Sequence, residues 1–187
     1  MNFLAALEKL TASFDEADVH YALIGGFAMA LHGVQPATVD LDFILLLQDL
    51  EKAHILFENL GYRRGFKSEN VSHYSSDDND LGRIDILHAF RGPTLSMLDR
   101  AERIEITGSL SVPVVQIEDI IGLKIQSSVN DSKRSVSDWA DIRLLLEHCA
   151  STGRLPNWDL INDYLDIFQL ASKLREMKEW YEAPDER

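Results

Sequence analysis

Two aspartates, separated by one residue, interrupt an otherwise apolar stretch, and their spacing predicts a catalytic or metal-binding site. The segment Val39–Leu47 is broken only by Asp40 and Asp42, a pattern typical of a strand buried on both faces. Side chains alternate along a strand, so these two carboxylates point to the same side. Because paired carboxylates in a core cost free energy, a divalent cation such as Mg²⁺ is their natural partner.

A third carboxylate, Asp85, lies in a second apolar strand predicted at Arg83–Phe90. If this strand neighboured the one that carries Asp40 and Asp42, the three carboxylates would converge. Such a ligand set suits a two-metal site for phosphoryl transfer. We therefore take these three aspartates as candidate catalytic residues and metal ligands.

Gly25 and Gly26 lie between a predicted strand, Tyr21–Ile24, and a predicted helix, Phe27–Leu31. A turn without side chains exposes backbone N–H groups that can receive a phosphate. A phosphate-binding turn combined with metal-binding carboxylates favours the transfer of a nucleotidyl group from a nucleoside triphosphate.

The order of these motifs resembles the DNA polymerase β-like nucleotidyltransferase superfamily, in which a Gly-Gly pair, a short helix, an Asp-x-Asp strand and a later strand aspartate follow one another. More narrowly, it resembles the bacterial abortive-infection nucleotidyltransferases, the AbiEii-like toxins. The segments that carry the resemblance are Ile24–Ala28, His32–Gly33, Thr38–Phe43, Ile117–Lys124, Arg134 and Asp138–Ile142.

The resemblance implies a role for each strand carboxylate. Asp40 and Asp42 would bind Mg²⁺, with a two-metal site expected. Asp85 would bridge a metal and activate the acceptor hydroxyl.

The resemblance also implies a set of nucleotide-binding residues. Gly25 and Gly26 would cradle the triphosphate, and Lys124 would neutralise phosphate charge. Asp138 would act near the nucleotide or the acceptor. Ordinary structural roles stay open for the last two, since a helical lysine can extend to solvent and an acid in a first helical turn is favoured by the helix dipole.

One position departs from the family pattern. Relatives often carry a basic residue two positions before the threonine of the Asp-x-Asp segment, and Pro36 stands there. A phosphate contact is therefore either missing or supplied by Arg83, Lys133 or Arg134.

The remaining pattern predicts an α/β (α+β) fold, a nucleotidyltransferase-type mixed β-sheet flanked by helices with a C-terminal helical bundle. We place the core at residues 1–116 and the helical region at 117–187. Strands are also predicted at 62–66, 71–75, 104–106 and 110–115, and helices at 3–15, 50–60, 94–101, 117–127, 137–149 and 158–181, before an acidic tail that is expected to fray.

Charge and composition exclude several classes of function. The 18 Lys plus Arg against 31 Asp plus Glu give a net charge of −13, which disfavours broad binding to DNA, RNA or an anionic membrane. A single cysteine, Cys149, excludes a disulfide framework and fits a buried structural thiol. No apolar stretch is long enough to span a bilayer, so we expect a cytoplasmic protein.

We therefore predict a Mg²⁺-dependent nucleotidyltransferase that moves NMP from an NTP to an acceptor hydroxyl. The resemblance suggests the toxin of a toxin–antitoxin or phage-defence pair, with tRNA or a protein as acceptor and a cognate antitoxin as partner. Two alternatives stay open: a catalytically degenerate module that binds a nucleotide or a partner, and an antibiotic nucleotidyltransferase.

Overall fold

The computed structural model describes residues 2–35, 40–78, 80–108 and 110–183. Contacts divide the chain into two compact units. The sheet unit comprises Met1–Leu31 and Ala37–Gln116, and the helical unit comprises His32–Pro36 and Ile117–Arg187.

Within its described ranges, the sheet unit holds one mixed sheet with the strand order β3-β4-β5-β2-β1-β7-β6. The strands are β1 Tyr21–Ile24, β2 Asp40–Leu46, β3 Arg63–Lys67, β4 Val71–Ser75, β5 Arg83–Ala89, β6 Glu102–Thr107 and β7 Leu110–Val114. β2 pairs in parallel with β5, and β1 pairs in parallel with β7. The other neighbours are antiparallel.

Alternation along the central strands separates an apolar face of the sheet from a polar one. On β2 the side chains of Leu41, Phe43 and Leu45 are fully buried, whereas Asp40 and Asp42 are half-buried. The helices of this unit are α1 Phe3–Glu16, α2 Gly25–Leu31, α3 Leu50–Asn59, which a 3₁₀ turn at Leu47–Asp49 precedes, and α4 Gly92–Asp99.

An aromatic cluster forms the centre of the core on the apolar face. The Phe14 ring lies 4.9 Å from Tyr21, 5.8 Å from Phe43 and 5.5 Å from Phe57, measured between centroids, in tilted or edge-to-face arrangements. These contacts tie α1 and α3 to the sheet, and they fix β2 so that its aspartates face away from the core.

The helical unit contains α5 Ile117–Asn130, α6 Ser135–Thr152, α7 Trp158–Ile167 and α8 Lys173–Glu182. The single helix predicted at 158–181 is therefore wrong. The chain leaves α7 at Phe168 and Gln169, and Gln169 adopts a left-handed φ of 58°. The N–H of Leu170 donates to the carbonyl of Leu165 at 2.8 Å, which closes the helix end.

The predicted strands and the other predicted helices agree with the structure to within a few residues. The predicted fold class is confirmed, and β4 coincides with its predicted range. Helix α2 begins at Gly25 rather than Phe27, and Cys149 is fully buried. The predicted acidic tail lies for the most part outside the described residues.

Candidate active site

The parallel pairing of β2 with β5 brings the three predicted aspartates onto one face of the sheet. Asp42 stands opposite Asp85, and Asp40 stands opposite Arg83. Residues paired across adjacent strands point to the same face, as do residues two apart on one strand. Asp40, Asp42 and Asp85, called here the sheet carboxylates, are all half-buried. The sheet face that carries them is called here the carboxylate face.

Basic side chains lie among the sheet carboxylates. Arg83 places Nε 3.8 Å from Oδ1 of Asp40 and a terminal nitrogen 3.9 Å from Oδ1 of Asp85. His73 Nδ1 lies 2.6 Å from Oδ1 of Asp85, within hydrogen-bonding distance. Carboxylates that share a face repel one another, so the guanidinium of Arg83 beside them offsets part of the cost of keeping them ionised.

His73 and Phe66 extend the row of polar and aromatic groups across the sheet. His73 pairs with Asp85 across β4 and β5, and Phe66 pairs with His73 across β3 and β4. The two rings stack with centroids 5.3 Å apart and planes inclined by 26°. The sequence analysis assigns no role to His73 or Phe66, because their proximity to Asp85 depends on strand register.

Gly25 packs directly against Asp42. Its φ is +68°, in the left-handed region that favours glycine. A Cβ atom at this position would lie 2.6 Å from Cγ of Asp42, closer than any real side chain tolerates. The glycine therefore provides a cradle that holds the Asp42 carboxylate against the start of α2.

The other predicted nucleotide ligands, Lys124 and Asp138, lie in the helical unit and contact each other. Lys124 Nζ donates to Oδ1 of Asp138 at 3.1 Å and to Oδ2 of Asp141 at 2.5 Å. Arg134 places a nitrogen 3.8 Å from the same Asp138 oxygen. The charge of Lys124 is thus already balanced by two carboxylates.

Asp138 has one oxygen that these contacts leave unused. The residue is fully buried, and its Oδ2 atom has no hydrogen-bond partner among the residues that the structure describes. An unpaired buried acceptor costs about 1–3 kcal/mol, so this oxygen is a candidate to accept a hydrogen bond from a ligand.

Two further acids of α5 are buried and bound by neighbours within the helical unit. Glu118 accepts hydrogen bonds from Arg154 at 3.0 Å and from the backbone N–H of Asn157 at 2.9 Å. Asp119 accepts one from the Tyr164 hydroxyl at 2.7 Å. Glu118, Asp119 and Asp138 are called here the helix acids.

The chemistry of the sheet carboxylates fits Mg²⁺, although their side chains do not form a closed cage. Across the described ranges, no three His, Cys, Asp or Glu side chains are grouped so that they could hold a metal ion. Asp85 instead bonds to His73, and Arg83 lies close to Asp40. Three hard carboxylates on one face, one of them held in a glycine cradle, are nevertheless the donors that Mg²⁺ prefers.

Pro36, where the AbiEii-like sequences that this chain resembles often have a basic residue, lies outside the described residues. Of the possible replacements, Arg83 lies on the carboxylate face, while Lys133 and Arg134 lie in the helical unit. Within the described part of the chain, no helix is long and apolar enough to cross a bilayer.

Comparison with solved structures identifies the class of fold. The antibiotic-resistance factor ANT(2'')-Ia is similar with a TM-score of 0.62 at 16% identity, covering 96% of this chain and 98% of that one. A nucleotidyltransferase-like antigen from Paracoccidioides brasiliensis gives 0.61 at 15% identity, with 97% and 93% covered. The lincosamide antibiotic adenylyltransferase LnuA, bound to lincomycin, gives 0.56 at 16% identity, with 75% and 94% covered.

The chain thus has the nucleotidyltransferase fold, as the resemblance in the sequence implied. No family model matches the sequence, and no curated protein matches it either.

Proposed function

We propose that this protein transfers a nucleotidyl group from a nucleoside triphosphate to an acceptor hydroxyl. The observation that carries the proposal is the register of β2 and β5, which aligns the sheet carboxylates on a half-exposed face beside the Gly25 cradle. Carboxylates that only stabilised the fold would have no need to share one face, where they repel one another.

Asp40, Asp42 and Asp85 are the residues that would hold Mg²⁺, in a two-metal site. Bound there, Mg²⁺ would neutralise charge on the phosphates during transfer. The Gly25–Gly26 segment would receive the triphosphate beside the Asp42 carboxylate that packs against Gly25. Catalysis would rest on positioning and on electrostatic stabilisation.

Asp85 is the residue that we assign to the acceptor proton. Its Oδ1 lies 2.6 Å from Nδ1 of His73 and 3.9 Å from a terminal nitrogen of Arg83, so we assign the proton to its other oxygen, Oδ2. As the acceptor oxygen bonds to the α-phosphorus, its proton passes to Oδ2 of Asp85. The bond from the α-phosphorus to the bridging oxygen breaks, and pyrophosphate leaves.

Lys124 and Asp138 are proposed to bind the nucleotide through the helical unit. The unpaired, buried Oδ2 of Asp138 supports this role, because it can accept a hydrogen bond from a hydroxyl or amino group. Lys124 would first have to exchange one of its carboxylate partners for a phosphate.

The resemblance to AbiEii-like proteins favours a toxin in a cytoplasmic toxin–antitoxin or phage-defence pair. Its acceptor would then be tRNA or a protein, and a cognate antitoxin would be its partner. The similarity to ANT(2'')-Ia, which has been solved with adenylyl-2''-tobramycin, and to LnuA supports an antibiotic acceptor as a second candidate.

The decisive experiment compares wild type with Asp42→Asn. Each α-³²P-NTP is incubated with Mg²⁺ and, separately, with a tRNA pool, a protein extract, an aminoglycoside and a lincosamide. We expect wild type to label one acceptor and the variant to lose about 10³-fold or more in rate. Chelation of the metal should abolish labelling, and added Mg²⁺ should restore it.

Asp99→Asn is the matched control, since it makes the same change at an exposed position at the end of α4. It should transfer label at the wild-type rate, and thermal melting should show both variants folded. Equal rates for wild type and Asp42→Asn would overturn the mechanism. NTP binding without turnover for any acceptor would favour the degenerate module instead.

A further inference from the structure

We propose that the stacked rings of Phe66 and His73 form the acceptor subsite and select an acceptor that carries a planar ring. The inference rests on the proposed function, because it places the subsite beside the carboxylate that we assign to the acceptor proton. It concerns residues of β3 and β4 that the metal and nucleotide assignments do not use.

The first argument is the position of the aromatic pair. Phe66, His73, Asp85 and Asp42 occupy successive strands in one row across the carboxylate face. Neighbouring strands lie about 4.8 Å apart, so one small molecule is long enough to contact both the Phe66 ring and the carboxylates. A ring bound at Phe66 would keep an attached hydroxyl within reach of Asp85.

The second argument is exposure. Phe66 is 50% exposed, and the His73 side chain is 41% exposed. A half-exposed phenylalanine stacked on an imidazole is a platform on which a further planar ring can stack, a contact that tolerates different ring types.

The third argument is that His73 is held in place. Its Nδ1 bonds to Asp85, so the imidazole that supports Phe66 is tied to the carboxylate. His73 is thus a positioning residue, which fixes the ring platform relative to the proton-accepting group. The β-bulge between Arg64 and Phe66 on β3 sets the register that makes this stacking possible.

The fourth argument is charge. A second row contains Arg63, Ser75, Arg83 and Asp40, two residues from the first row on β4, β5 and β2 and three residues from it on the bulged strand β3. Arg63 in this row is paired with Asp77, and Arg83 lies within 4 Å of Asp40 and Asp85, so the row has no excess of positive charge. The platform is therefore expected to select its acceptor by the planar ring and not by charge.

The test separates ring recognition from catalysis by measuring binding without Mg²⁺. Adenosine 5′-monophosphate and ribose 5-phosphate share a phosphate and differ by the planar base, and each is titrated by calorimetry. We expect the base to strengthen binding to wild type and Phe66→Ala to weaken the binding of the monophosphate by about 5- to 100-fold. Ribose 5-phosphate should be unaffected by that variant.

Three further variants test whether the aromatic ring itself, and not apolar bulk, is responsible for binding. Phe66→Tyr keeps the ring and should restore binding, whereas Phe66→Leu keeps apolar bulk and should not. Ile55→Ala removes another exposed apolar side chain, on α3, and should bind like wild type. The same titration with a short single-stranded RNA that ends in adenosine distinguishes a free nucleotide from a nucleic-acid end.

Two results would overturn the proposal. One is ring-dependent binding that Phe66→Ala leaves unchanged. The other is an equal loss of Mg²⁺–NTP affinity in Phe66→Ala, which would assign the platform to the donor nucleotide. If wild type binds the ring through Phe66 but transfers no label, then the proposed transfer fails while the subsite stands.

Discussion

The sheet carboxylates and the helix acids are two sets of three acidic residues that differ in how their charge is compensated. The sheet carboxylates are half-buried; Asp40 and Asp85 lie 3.8–3.9 Å from Arg83, and Asp85 also lies 2.6 Å from Nδ1 of His73. The helix acids are at most 2% exposed, and each accepts at least one hydrogen bond from a neighbour in its own unit. The same residue type therefore occurs in two environments.

This difference indicates which acidic residues can bind a ligand or accept a proton. A fully buried carboxylate is tolerated only when directed donors replace water, so Glu118 and Asp119 are committed to their partners. The side chains of Asp40 and Asp85 keep 21% and 26% of their surface exposed, so a ligand can still reach them and replace a partner. Asp138 lies between the two cases, since it is buried with one oxygen unpaired.

Truncating a helix acid should produce the largest loss of stability. Glu118→Ala leaves the Arg154 guanidinium and the Asn157 N–H without their acceptor, and we expect a loss of about 3 kcal/mol in the free energy of unfolding. Urea denaturation followed by tryptophan fluorescence measures it, because Trp139, Trp158 and Trp180 all lie in the helical unit.

The conservative variant separates charge from hydrogen bonding at the same position. Glu118→Gln keeps an acceptor for one donor and should cost about 1–2 kcal/mol. If Glu118→Ala were as stable as wild type, the helix acids would not be structural, and the contrast with the sheet carboxylates would fail.

The pKa of Cys149 provides a second measure of how far water is excluded from the interior of the helical unit. Burial raises the pKa of its thiol to about 11, while nearby Arg154 lowers it and Glu118 raises it. The folded state therefore keeps the proton at pH values where the unfolded chain, with a pKa near 9, has lost it. Stability should fall by about 2 kcal/mol as the pH rises from about 8 to about 10.5.

The measurement is urea denaturation at both pH values for wild type and Cys149→Ala. The variant will be less stable at both, because it loses buried volume, but its decline with pH should be shallower. Identical slopes would mean that the thiol is hydrated when folded, and the helical interior would then resemble the carboxylate face.

The sequence was sufficient to predict the strands and the facing of their side chains, because alternation is local. It predicted Asp40 and Asp42 on one side of a strand, but it left open whether Asp85 lies next to them. That depends on the pairing of β2 with β5, which brings together residues more than 40 positions apart. The roles proposed for these residues remain predictions.

Features that depend on non-local packing or on rare backbone conformations were not predictable. The stacking of Phe66 on His73 requires a β-bulge between Arg64 and Phe66, and Gly65 is its one indication in the sequence. The two carboxylates that bind Lys124 come from the neighbouring helix α6. The break after α7 occurs at Gln169, where the sequence has neither the glycine nor the proline that commonly marks a helix end.

The smallest effect is expected for the acid-to-amide change on the carboxylate face. Asp85→Asn keeps an oxygen that can accept the hydrogen bond from His73, and it removes one of three like charges. We expect the free energy of unfolding to change by no more than about 0.5 kcal/mol, as calorimetry or urea denaturation would show. The matched change Glu118→Gln should cost several times more. A loss above about 2 kcal/mol in Asp85→Asn would place the sheet carboxylates with the helix acids as structural groups, and the register of β2 with β5 would then no longer support a catalytic site.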